Sequence, residues 1–302
     1  MKKFFTVLLA AMFLFCAAGC AREEKGTQTL SVRVMTHNMR YASNATDTDY
    51  GDLRADERMQ AELDFIEEQN CDIVFLNEAG RYQDEILQAQ LDSMGYGYVR
   101  ESDFADGIYN YNGTNANLYS QRFCNYILYR KDIFTLKDTM SFSLSDSPAD
   151  PHAPFSGMSY EALWEQEGRP RTAVWALLTH SATGAEILTA CAHAQWVTDD
   201  NGTDWNAEGL KVLAQQIEKA RGYYPAAHVV FGGDFNSEHI TAFASDTYKG
   251  VNADATYKTY GDTALDHIYY SAEGICKSAG VAGNTSLSDH LALWAMIELS
   301  VQ

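Results

Sequence analysis

Apolar and polar positions along the chain follow two periods, and the switches between them mark out short elements. Leu30 to Thr36 reads as a strand ending in His37-Asn38-Met39-Arg40. After a loop rich in Gly, Asp and Asn, the spacing of Met59, Leu63 and Ile66 predicts an amphipathic helix from about Ala55 to Gln69. Asp72-Ile73-Val74-Phe75-Leu76 is a short buried strand with Asn77-Glu78 at its tip, and a second helix is expected from about Tyr82 to Asp92. Asp103 to Ser120 is Asn, Gly and Tyr rich without periodicity, which suits a binding loop or a mobile surface segment. Asn125 to Arg130 and Thr139 to Leu144 look like paired strands, and Ser145 to Gly168 is irregular.

Further on, Thr172 to Thr179 and Ala185 to Ala192 predict a hairpin around Thr183-Gly184, ending at His193. A helix from about Asn206 to Arg221 precedes the run Val229-Val230-Phe231-Gly232-Gly233-Asp234-Phe235-Asn236-Ser237, a buried strand that stops on two glycines. Asp234 and Asn236 are one residue apart, so on extended chain both side chains point the same way. A carboxylate beside a carboxamide suits orienting a water and holding a phosphate oxygen; the same residues also serve as ordinary turn formers. The glycines would let backbone approach a ligand. Leu265 to Tyr270 and Leu291 to Leu299 complete the strands. Strands and helices alternate early and hairpins dominate the middle, a mixture that favours a layered α/β (α+β) sandwich with mixed sheets.

Composition changes this picture at three points. The 302 residues are 46% hydrophobic and 21% charged, enough for one large domain with a substantial core, and no linker divides the chain. The formal charge of −19 opposes long nucleic acid, which needs many basic contacts to phosphate. At the start, Met1-Lys2-Lys3 and the apolar run Phe4 to Phe15 lead into Ala17-Ala18-Gly19-Cys20, similar to a bacterial lipoprotein signal. The organisation expected is a leader over 1–20, a polar tether over 21–29 and one domain over 30–302. Cys20 would be the lipid-carrying N-terminus of an exported protein at the outer membrane or cell surface; a plain secretory signal, giving a periplasmic or secreted protein, is the alternative. Of six cysteines, removing Cys16 and Cys20 leaves Cys71, Cys124, Cys191 and Cys276, widely spaced and expected as free thiols, buried in the fold.

The candidate chemistry lies at strand ends. Asn38, Glu78, His193, Asp234, Asn236, Asp266, Asp289 and His290 each border an apolar run, where α/β proteins build their sites. Carboxylates with carboxamides make a hard oxygen-donor set suited to Mg²⁺, Mn²⁺ or Ca²⁺. His and Asp add acid–base capacity. His37, His239 and His267 read as structural or supporting.

In that order the blocks resemble the endonuclease/exonuclease/phosphatase superfamily of deoxyribonuclease I-like metal-dependent phosphohydrolases. They are Val34-Met35-Thr36-His37-Asn38-Met39-Arg40, Asp72 to Glu78, Asn125 to Asp132, Arg171 to Trp175, Gly233 to Asn236, Leu265 to Ile268 and Ser288 to Leu291. The resemblance implies a four-layered sandwich of two packed mixed β-sheets flanked by helices. It implies Glu78 as principal metal ligand with Asp289 and Asn38 beside it, the metal being Mg²⁺ or Mn²⁺. Asp234 would orient or activate the attacking water, and Asn236 would bind phosphate and fix Asp234. His290, paired with Asp266, would contact a phosphoryl oxygen or act as base. His193 lies where nuclease members carry a histidine proposed to protonate the leaving oxygen. The chain departs from many relatives at Cys191 and Gln195, at Asn77 where Gln is frequent, and at Gln121-Arg122 where a glutamate is common.

Phe142 to Pro148 looks like a widespread bacterial subgroup whose motifs imply no substrate. The partner expected is a small phosphoester or lipid headgroup, with nucleic acid as the runner-up and the chain a membrane-anchored monomer. A non-catalytic binding protein on the same fold is the reading from another class.

Overall fold

A computed structural model describes residues 28–42, 45–46, 53–101, 109–111, 114–116, 123–150, 153–165 and 170–301. The leader, Cys20, most of the tether, most of the loop expected over 103–120 and Gln121-Arg122 lie outside them. The described elements run β1 (Gln28–Asn38), α1 (Ala55–Gln69), β2 (Ile73–Gly80), α2 (Arg81–Gln90), β3 (Tyr96–Arg100), β4 (Tyr109–Tyr111), β5 (Thr114–Ala116), β6 (Phe123–Arg130), β7 (Phe134–Ser143), α3 (Tyr160–Glu165) and β8 (Thr172–His180). They continue with β9 (Glu186–His193), α4 (Trp205–Tyr223), β10 (His228–Asp234), β11 (Tyr248–Gly250), β12 (Asp266–Ser271), β13 (Ile275–Ala282) and β14 (Ala292–Val301). The first strand starts at Gln28, inside the stretch expected as tether.

Two six-stranded mixed sheets, β13-β14-β1-β2-β6-β3 and β11-β12-β10-β9-β8-β7, pack face to face. In each, one parallel pair sits at the centre, β1 with β2 and β9 with β10, and antiparallel strands flank it. Side chains alternate as a period of two demands. Val32, Val34, Ile73 and Phe75 face inward to meet Val174, Cys191, Val230 and Ile268 of the other sheet. Met35, Val74 and Leu76 face outward under Met59, Leu63 and Ile66 of α1. Val229 and Phe231 face outward under Leu210, Leu213 and Ile217 of α4. Helix, sheet, sheet and helix make the four layers expected.

One pairing differs from expectation. β6 and β7 are consecutive but belong to different sheets: β6 lies between β2 and β3, and β7 pairs with β8. Asn125 and Thr139 therefore are not cross-strand neighbours, because the chain crosses from one layer to the other after Arg130. The hairpin around Thr183-Gly184 does form, with Gly184 at φ +73°. Cys71, Cys124 and Cys191 are buried free thiols, while Cys276 is half-buried on the edge strand β13. Among the described residues no helix is long and apolar enough to cross a membrane.

The same parity positions the polar residues. Asn38, Asn77, Asn125, His193, Asp234 and Asp266 share the inward-facing parity of their strands, all at one end of the sandwich. Here the apolar inter-sheet core stops and polar groups from both sheets meet.

Candidate active site

The glycines before Asp234 have a local cause. Gly233 sits at φ +144°, and a Cβ there would stand 1.9 Å from the Ala192 carbonyl oxygen. A Cβ on Gly232 would lie 2.6 Å from the His267 carbonyl oxygen. The expectation that these glycines admit a ligand is thus corrected: the backbone that comes close is that of β9 and β12.

Asp234, buried at the end of β10, is held from every side. Its Oδ2 accepts a hydrogen bond from Asn38 Nδ2 at 3.0 Å and its Oδ1 accepts the Asn236 N–H at 3.0 Å. Asn236 in turn donates its side-chain amide to the Ala194 carbonyl at 3.0 Å. The backbone N–H of Asp234 donates to Asn77 Oδ1 at 2.9 Å. Asn77 is buried in the other sheet, and its Nδ2 reaches Asn125 Oδ1 at 2.7 Å and the Ala192 carbonyl at 3.0 Å. This one carboxamide ties β2, β6, β9 and β10 together. Asn125 donates to Glu101 at the end of β3, and so does the Thr172 hydroxyl.

His290 Nδ1 lies 2.7 Å from Asp266 Oδ2, and its Nε2 lies 3.7 Å from Asp234 Oδ2. Burial opposes the imidazolium, but the carboxylates of Asp266 and Asp234 outweigh it and hold the ring protonated. Burial pushes the Asp234 carboxyl upward, and the His290 charge works against that shift. The exposed Tyr260 ring rests on His290 with centroids 4.8 Å apart.

His193, at the end of β9, stands between a cation and two carboxylates. Its Nε2 is 3.5 Å from Asp234 Oδ2 and 3.8 Å from Glu78 Oε1. Arg171 Nη1 lies 3.2 Å from Nδ1 and 3.4 Å from Nε2, so its charge sits against both ring nitrogens.

Glu78 departs from regular strand. It adopts φ +57° at a bulge where the β2–β6 register shifts between Leu76 and Ala79. A left-handed glutamate costs about 1–2 kcal/mol, and Arg40 and Asn236 share that conformation at the same rim, at φ +51° each. Glu78 Oε2 accepts the Tyr41 N–H at 3.3 Å. Asp289 is half-buried, and its carboxylate accepts the Ser288 hydroxyl at 3.3 Å. Glu78 and Asp289 both act on the buried Arg58 guanidinium, whose charge burial otherwise disfavours.

A divalent cation is the cofactor that the family implies, and the donors present fit one. Asp234, Asp266 and His290 bring ligand atoms within 4.8 Å of one another. Yet the His290 imidazolium already supplies a positive charge between those two acids. The hard oxygens of Glu78 and Asp289 are the better match for Mg²⁺ or Mn²⁺. Asn38 is committed first to Asp234 through its amide nitrogen and to the Arg40 N–H through its oxygen at 2.9 Å, so it supports the carboxylate as much as it could serve a cation.

The sequence profile of the Endonuclease/Exonuclease/phosphatase family matches residues 35–290. The chain belongs to that family. No curated protein sequence matches it. A Bacteroides thetaiotaomicron protein of the endonuclease/exonuclease/phosphatase family superposes with TM-score 0.69 at 20% identity, over 91% of this chain and 97% of that one. A mannosyl-6-phosphatase from Bacteroides thetaiotaomicron is similar at TM-score 0.65 and 21% identity, over 88% and 99%. The catalytic domain of human Nocturnin with bound sulfate is similar at TM-score 0.63 and 18% identity, over 90% and 97%. Family and fold together support a phosphoesterase or nuclease-type hydrolase, in a family generally dependent on divalent metal.

Of the residues singled out from the sequence, Asn38, Glu78, His193, Asp234, Asn236, Asp266, Asp289 and His290 all lie at this one rim; Cys20 lies outside the described residues. Three others were not assigned a role: Asn77, which fixes Asp234 from the other sheet, Arg171, which faces His193, and Glu101, which anchors Asn125. Inward parity at Asn77 was the available signal. Glu101 belongs to no recognisable block.

Proposed function

We propose that the protein is a divalent-metal-dependent phosphoesterase that hydrolyses a phosphodiester or phosphomonoester by in-line attack of water. The observation that carries this reading is the buried Asp234 carboxylate, fixed by Asn38, Asn77 and Asn236 and facing both His193 and His290. A bound cation at Glu78 and Asp289 would neutralise charge on the phosphoryl oxygens. Asp234 orients the attacking water and takes its proton, which burial favours by raising the affinity of the carboxyl for a proton. The His290 imidazolium, held by Asp266, donates to a phosphoryl oxygen. His193 stands beside Asp234 and Glu78 to protonate the leaving oxygen, with the Arg171 guanidinium against its ring.

The substrate read from charge is a small phosphoester or a lipid headgroup, since a net charge of −19 opposes long nucleic acid. The similarity to a mannosyl-6-phosphatase adds sugar phosphates to the esters worth testing. Export with Cys20 as lipid-carrying N-terminus belongs to the same proposal.

The test is hydrolysis of bis-p-nitrophenyl phosphate, p-nitrophenyl phosphate, mannose 6-phosphate and single-stranded DNA, with Mg²⁺ or Mn²⁺ against EDTA. Metal-dependent turnover that falls about 10³-fold or more in Asp234→Ala is expected, and the preferred ester separates diesterase from phosphatase. Turnover of DNA above the small esters at physiological salt would replace the small-ester reading with a nuclease. Calorimetric binding of the metal without turnover of any ester would favour a binding protein on this fold.

A further inference from the structure

We infer that the site takes a phosphoester dissolved in the surrounding water, and not a headgroup of the bilayer to which Cys20 would be tied. This rests on the hydrolase reading and on the leader reading of residues 1–20, and adds to them the direction in which β1 runs.

Strand β1 connects the two poles of the sandwich. It enters at Gln28, paired with Val301, and ends at Asn38 in the rim that holds Asp234. Its 11 residues carry the chain about 33 Å. The tether therefore joins the fold at the pole opposite the site. That pole is marked by a groove of about 580 Å³ between Glu186, His228, Glu273, Ser300 and Val301.

With β1 upright and the rim facing the anchoring bilayer, Gln28 would stand about the length of β1 above the membrane surface. Residues 20 to 28 span eight steps, which reach about 29 Å when fully stretched. Even the extreme falls short, and holding it would cost the conformational entropy of every residue in the tether.

The tether gains little by unpicking the fold. Gln28, Thr29 and Leu30 are already paired with Val301, Ser300 and Leu299, and freeing more chain would expose Leu30 and Val32, which are 6% and 0% exposed. Nor is the domain drawn onto its side. A chain of net charge −19 is repelled by an anionic leaflet, whereas membrane-hugging segments are basic. A headgroup still embedded in the anchoring bilayer is thus out of reach, while a dissolved ester meets an outward-facing rim.

The experiment uses the full lipidated chain reconstituted into vesicles of phosphatidylcholine, phosphatidylglycerol and sphingomyelin, with Mg²⁺ or Mn²⁺. Release of phosphorylated or free headgroup is measured beside hydrolysis of the soluble esters in the same sample. The expected result is headgroup release at the blank level, with soluble-ester turnover equal to that of Cys20→Ala free in solution. A second variant inserts about 30 Gly/Ser residues after Gly26, enough to span the missing distance. Headgroup release that rises about ten-fold or more only in that variant would support the limit on reach. Headgroup release by the native tether at a rate comparable to the soluble ester overturns the inference. So does a native chain that leaves the vesicles as readily as Cys20→Ala, because no anchor then exists. Turnover of no soluble ester by any form is a different failure, that of the hydrolase reading itself.

Discussion

The two ends of the sandwich are built from the same strands and carry charge in opposite ways. At the rim, Asp234 and Asp266 are 2% and 0% exposed, and Asn38, Asn77 and His290 meet them at hydrogen-bond distance. At the far pole the ion pairs lie in water: Arg130 with Asp132, Lys131 with Asp92 and Lys137 with Glu186 all have at least one side chain more than 50% exposed. Buried charge costs stability unless it is paired and hydrogen-bonded, whereas an exposed pair contributes about 0–1 kcal/mol. The contrast teaches that the fold tolerates its site because the two sheets close over it, and that the far pole serves solubility.

The largest effect should come from breaking the brace between the sheets. Asn77→Ala removes the acceptor for the Asp234 N–H and the donor to Asn125 and to the Ala192 carbonyl at once. Each buried group left without a partner costs about 1–3 kcal/mol, so a loss of about 3 kcal/mol in urea unfolding is expected, together with a fall in kcat. Unfolding at wild-type urea concentration would show that the rim does not depend on this cross-sheet carboxamide, and the contrast between the ends would fail.

A smaller effect, graded by pH, sharpens the comparison. Burial pushes the Glu101 carboxyl up to about 7, with hydrogen bonds from Thr172 and Asn125 acting against the shift. In the unfolded chain an ordinary glutamate ionises near 4.5, so between these values the folded state binds more protons than the unfolded one. Stability from this group therefore falls as pH rises through that window. Glu101→Gln keeps an acceptor oxygen and removes the ionisation. Its Tm advantage over wild type should grow from about pH 5 to about pH 8. An advantage that is flat with pH would mean that the glutamate ionises freely in the fold.

Most of the site could be read from the sequence because it obeys the simplest rule of a strand. Polar residues at the ends of apolar runs, on the inward parity, converge when two sheets pack; Asn38, His193, Asp234 and Asp266 are cases. What the rule leaves open is which strand lies beside which. β6 and β7 read as neighbours because they adjoin in sequence, and only three-dimensional packing separates them into different sheets. β13 is an edge strand with no fully buried residue, half of its positions exposed and half partly buried, and it leaves no clear pattern to find. Glu101 was silent for a related reason. Its neighbours Asn125 and Thr172 come from two different sheets, and no spacing along the chain encodes that meeting.

The smallest expected effect tests the other half of the comparison. Lys137 pairs with Glu186 with side chains 51% and 24% exposed, and its ammonium lies 5.7 Å from the centre of the Tyr224 ring. In Lys137→Ala the carboxylate left behind is readily solvated, unlike an acid stranded at the rim. A change within about 0.5 kcal/mol follows, and it should shrink further in high salt, which screens exposed charges. Because β7 is an edge strand, that lysine also guards an open hydrogen-bonding edge, so the variant should be compared by light scattering as well as by unfolding. Monomeric protein with unchanged kcat would confirm that charge at this pole is spread for solubility, and destabilisation equal to that of Asn77→Ala would mean that the two ends are held together in the same way.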